Sequence, residues 1–78
     1  MNKIKEEKLL QLLNNLLDSI GVDCVEELLN DLDLRKDLEI DSISYAELVV
    51  LIEEEFDVNI NEIGRAETVG DIKTRLSL

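Results

Sequence analysis

Apolar residues recur at helical spacing in three stretches of this chain. In residues 4–20, Leu9, Leu13, Leu16 and Ile20 fall on one side, and Leu10, Leu12 and Leu17 widen the stripe. Lys3, Lys5, Glu6, Glu7 and Lys8 mark a solvated start. Gly21 follows the last periodic residue, where a left-handed cap suits glycine, so a helix over 4–20 is predicted. A second helix is predicted over 42–56, with Tyr45, Leu48, Val49, Ile52 and Phe56 as its core stripe. The third is short: Thr68 offers an N-cap with Asp71 three residues on, and Val69, Ile72 and Leu76 form the stripe. Lys73 and Arg75 stand toward its end, where the helix dipole favours cations.

The connections are less periodic. Within 22–40, Val25, Leu28, Leu29 and Leu32 could form a helical turn or two started by Asp23. Leu34, Leu38 and Ile40 are then apolar beads among charges, which reads as a long ordered loop pinned to the core. Long loops in small domains are unusual and often functional. Residues 57–67 read as a second loop with one short helix around 61–66 and Val58, Ile60 and Ile63 reaching inward.

Ser42 falls where the long loop becomes the second helix. Asp41 can cap that helix, but Ser44 and Glu47 also match a capping box with a later start. Both starts leave Ser42 in or beside the first turn, near solvent. The second helix has another apolar flank: Ile43, Ala46 and Val50, alongside Glu47 and Glu54. The loop could bury this flank. An exposed apolar strip ringed by acids would instead be a docking face, and the two glutamates beside it favour that reading.

Seventy-eight residues suit one domain, 1–78, and 45% hydrophobic content with 3% aromatics leaves room for one small aliphatic core. A pocket that encloses a substrate and excludes water is hard to build at this size. The net charge of -11 repels phosphate backbones and anionic lipid heads, so neither nucleic acid nor a membrane surface is an expected partner. It would attract a basic protein patch, or merely keep a small protein soluble. Cys24 is the single cysteine, so no internal disulfide forms, and a cytoplasmic location is the simplest expectation. No secretory leader and no membrane-spanning run are read from the sequence.

Candidate chemistry is sparse. With no histidine in the chain, Ser42 has no base of the usual kind to activate it, so no catalytic residue is assigned. A serine so presented suits the role of substrate for another enzyme. Asp31 and Asp33 open like a calcium loop, but Arg35, Lys36 and Ser42 break that pattern. Glu53, Glu54 and Glu55 are consecutive on a helix and cannot all face one ion, so no metal site is expected.

The run Asp41-Ser42-Ile43, followed by Glu47-Leu48-Val49 and by Glu53-Glu54-Glu55-Phe56-Asp57, resembles the acyl carrier protein family. The likeness extends along the chain through Gly21-Val22 and Asp37-Leu38. It implies an all-α fold, a small four-helix bundle with three main helices and one short one, and a monomer.

The resemblance further implies that a phosphopantetheinyl transferase attaches 4'-phosphopantetheine from coenzyme A to Ser42. The arm's thiol would carry acyl groups as thioesters to acyl-transferring and synthase enzymes of fatty acid or polyketide type. Asp41 and Ile43 would help the transferase dock, and Ala46, Glu47, Val50 and Glu54 would meet basic patches of partner enzymes. The acyl chain would lodge among Leu48, Val49, Ile52 and Phe56. Glu39 departs from the family by standing where a glycine is common, Ser44 replaces a frequent acid, and the stretch 61–68 is short and contains Arg65. An unmodified acidic interaction module and a carrier of aminoacyl groups are the alternatives.

Overall fold

A computed structural model describes residues 2–59 and 65–78. Three helices appear among them: α1 (Asn2–Ser19), α2 (Ser42–Phe56) and α3 (Val69–Arg75). The short helix expected around 61–66 lies mostly outside the described residues. Its last two positions, Arg65 and Ala66, are described and are not helical.

The leucine stripe of α1 faces inward: Leu9, Leu13, Leu16 and Leu17 are all at most 2% exposed. The helix stops as its sequence predicts. Gly21 takes φ +78, the Gly21 amide donates to the Asp18 carbonyl, and the Val22 amide donates to the Leu17 carbonyl at 2.8 Å. These two bonds are the Schellman pair, which satisfies the last carbonyls of the helix.

No helix forms in 22–40. The side-chain amide of Asn14 on α1 grips Val25 from both sides, donating to its carbonyl at 2.9 Å and accepting from its amide at 2.8 Å. Those two backbone groups are thereby withdrawn from any helical ladder. Further on, the chain runs beside 67–70. Gly70 donates to Asn30, Val69 to Leu32, and Leu34 to Glu67, each at 2.9–3.0 Å. An isolated antiparallel bridge pairs Asp33 with Thr68.

The segment 33–38 then folds on its own carboxylates. Oδ1 of Asp33 accepts from the amides of Arg35 and Lys36, and Asp37 accepts from the Asp33 amide at 2.8 Å. Leu34, Leu38 and Ile40 are buried, so the predicted beads do anchor the loop. Glu39 between them takes φ 56, a left-handed conformation that β-carbon sterics disfavour.

One core joins these pieces. Leu48, Val49 and Ile52 of α2, with Val69, Ile72 and Leu76 at the C-terminal end, pack with the α1 stripe. Helix α3 carries the predicted capping box: the Asp71 amide donates to Thr68 Oγ1, and Asp71 Oδ2 accepts from the amides of Thr68 and Glu67. Lys73 ties it to α1 through an ion pair with Glu6 at 3.2 Å.

Candidate functional site

Asp41 settles where α2 begins. Its backbone is extended, its Oδ1 accepts from the Ser44 amide at 2.8 Å, and its carbonyl accepts from Tyr45. The alternative start at Ser44 is not the one adopted. Ser42 is therefore the first residue of the helix, exposed at its positive end. The Ser44 amide is also the main reason that the Asp41 carboxyl is held below its ordinary range.

Ser42 has a neighbour that the sequence did not disclose. Nη2 of Arg35 lies 3.3 Å from Ser42 Oγ. A guanidinium donates and cannot take the hydroxyl proton, so this contact does not turn the serine into a self-activated nucleophile.

Beside the pair opens a cleft of about 580 Å³. Leu34, Ile40, Tyr45 and Ala66 supply its apolar lining, while Arg35, Lys36 and Arg65 bring positive charge. Tyr45 closes one side: its Oη accepts from the Ala66 amide at 2.9 Å and so fixes 65–67 against α2. A shallower hollow of about 420 Å³ also touches Arg35, Glu39, Ile40, Asp41 and Ser42.

The predicted docking residues share an exposed setting. Ile43 is 81% exposed and Val50 48%, and Ala46, Glu47 and Glu54 are exposed too. The loop does not cover this flank. By contrast Leu48, Val49 and Ile52 are closed within the core, and Phe56 is half-buried. The open cleft at Ser42 has other walls than the four side chains expected to receive an acyl chain.

The contact of Arg35 with Ser42, and the presence of Arg65 in the same cleft, are not legible in the sequence. Their positions in the sequence carry no periodic signal. Asp33, weighed as a calcium ligand, spends its Oδ1 on two backbone amides. Among the described residues, no group of three or more His, Cys, Asp or Glu side chains is placed to hold a metal ion.

The family model for the phosphopantetheine attachment site matches residues 8–76. The chain belongs to the acyl carrier protein family. Its cofactor is the 4'-phosphopantetheine that this family carries covalently. A curated relative, the acyl carrier protein of Trieres chinensis, is 48% identical over 42 residues, which cover 54% of this chain and 48% of the relative. The match thus spans about half the length of that relative. No solved structure matches significantly.

The residues at Ser42 fit such a group. An exposed hydroxyl at a helix N-terminus offers an attachment point where a phosphate is electrostatically favoured. The adjoining cleft has both cationic and apolar walls for what would follow the phosphate.

Proposed function

We propose that this chain is an acyl carrier whose arm is attached at Ser42, and that it delivers acyl groups to enzymes of fatty acid or polyketide-type synthesis. The observation that carries the reading is the placement of Ser42: exposed, first in α2, with its backbone fixed by the Asp41 cap. A phosphopantetheinyl transferase would join Ser42 Oγ to the pantetheine-side phosphorus of coenzyme A as the pyrophosphate bond breaks and 3',5'-ADP leaves. The transferase must accept the hydroxyl proton, because Arg35 cannot. Once in place, the arm supplies a thiol that carries the acyl group as a thioester.

The chain's own residues then present rather than react, and the protein is a carrier, not a catalyst. Asp41 holds the first turn, Ile43 offers an exposed apolar contact beside the attachment point, and Ala46, Glu47, Val50 and Glu54 extend that face along α2. Basic patches on the transferase and the synthases suit this acidic face.

Intact mass after incubation with coenzyme A and a broad-specificity phosphopantetheinyl transferase tests the proposal. Wild type should gain one phosphopantetheine group, and Ser42→Ala should gain nothing. A wild type left unchanged by several transferases would support the unmodified interaction module instead.

A further inference from the structure

We propose that Arg35 is a phosphate-binding residue. In the loaded protein its guanidinium would hold the phosphodiester on Ser42 and seat the start of the arm in the cleft that leads to Arg65. This inference rests on the reading of Ser42 as the attachment residue.

Reach is the first support. Nη2 of Arg35 already lies 3.3 Å from Ser42 Oγ. The non-bridging oxygens of a phosphodiester on that Oγ stand only two bonds further out, within range of the same guanidinium without backbone movement. In the unloaded protein the contact joins a cation to a neutral hydroxyl. Loading replaces it with a cation facing an anion, the pairing whose planar, two-bond geometry guanidinium and phosphate share.

Placement is the second. Arg35 sits between buried Leu34 and the folded turn that ends at buried Leu38. Its amide is bound by Asp33 at 2.9 Å, so the side chain departs from a fixed backbone point. Ser42 is equally fixed, as the first residue after the Asp41 cap.

Charge is the third. The chain has eight basic residues and a net charge of -11, yet Arg35, Lys36 and Arg65 all line this one cleft. Asp33, Asp41 and Glu67 line it as well. Asp33 Oδ1 accepts from the Arg35 and Lys36 amides and Asp41 Oδ1 from the Ser44 amide, and both carboxylates also feel the Arg35 charge. The guanidinium nevertheless places its hydrogen bond on the serine. An arm held on this side leaves the exposed Ile43–Val50 flank free for a partner.

Phosphorus NMR of the loaded protein tests this. Wild type, Arg35→Gln, Arg35→Lys and the control Arg75→Gln are each treated with coenzyme A and transferase until mass shows one arm per chain. Gln at 35 keeps the backbone amide that Asp33 binds, so the turn is retained. The phosphodiester resonance should shift in Arg35→Gln, shift less in Arg35→Lys, and stay put in Arg75→Gln. The Arg35 Nε–H signal of wild type should also exchange more slowly with water after loading. An arm present by mass, with the same phosphorus resonance in wild type and Arg35→Gln, overturns the role of Arg35 and leaves the attachment reading intact. Absence of any mass gain overturns both.

Discussion

A methyl group on Gly70 would stand 2.7 Å from the carbonyl oxygen of Asn30, the same oxygen to which the Gly70 amide donates at 3.0 Å. The segments 30–34 and 67–70 touch backbone to backbone there, and only glycine permits it. Gly70→Ala should therefore destabilise the fold by about 1–3 kcal/mol through overpacking. The usual gain of about 1 kcal/mol for alanine over glycine within a helix opposes this and should lose. Urea unfolding reads the sign. A higher midpoint for the variant would mean that the 30–34 segment yields easily.

Glu39 points the other way. Its φ of 56 is costly for a side chain with a β-carbon, by about 1–2 kcal/mol. Glycine removes that strain but adds about 0.4–1 kcal/mol of unfolded-state freedom. Glu39→Gly should come out stabilising by roughly 0.5–1 kcal/mol. An unchanged or lower urea midpoint would count against a strained Glu39.

Tyr45→Phe should leave the Ala66 amide without the acceptor it now meets at 2.9 Å. Ala66 is a buried residue, so water repairs the loss poorly. The expected cost is about 1 kcal/mol, seen as a melting temperature lower by roughly 4–8 °C for a domain of this size. Amide exchange at Ala66 should quicken more than the global stability loss explains.

Acid should act in two stages. The carboxyls of Asp33, Asp41 and Asp71 are all held below their ordinary value of 3.8, chiefly by amides of Lys36, Ser44 and Glu67 respectively. Their folded-state values are depressed, so their contribution is complete above the unfolded value and is lost as pH falls through the lowered ones. Between about pH 7 and pH 5 these three carboxylates stay ionised and their bonds intact. The melting temperature should hold over that range and fall below about pH 4. Asp41→Asn keeps a capping oxygen without the titration and should soften the acid limb. A steady decline beginning at neutral pH would count against Asp33, Asp41 and Asp71 as the acid-sensitive groups.

Along α2, charge and apolar contact should separate kinetically. Glu47→Lys and Glu54→Lys should slow association with the transferase, while Val50→Asp should speed release, because rim charges govern encounter and central apolar contacts govern retention. Val50 is 48% exposed, so Val50→Asp should keep its helical circular dichroism. Surface plasmon resonance distinguishes the two rate effects. Unfolding of Val50→Asp would remove this face from the proposed interface.

Much of this protein is readable locally. The leucine stripe of α1, the Gly21 stop, the apolar stripe of α2 and the Thr68–Asp71 capping box all follow from residues within a turn or two of one another. Short-range rules suffice for such features, because helical spacing and end-capping bonds are set by near neighbours. The placement of Ser42 at a helix start was legible for the same reason. Whether Asp41 or Ser44 capped that helix was not, since both motifs are locally sound.

Tertiary structure decided the rest. The 22–40 segment has helical spacing in part, but Asn14 takes the backbone groups of Val25 and residues 67–70 pair with 30–34. Those partners lie far away in sequence, and their hydrogen bonds outweigh a weak local preference. The same long-range pairing carries Arg65 and Arg35 to one cleft with Ser42. No periodicity encodes that meeting. It arises because buried Leu34, Leu38 and Ile40 fix one side of the cleft, while the Tyr45–Ala66 bond fixes the other.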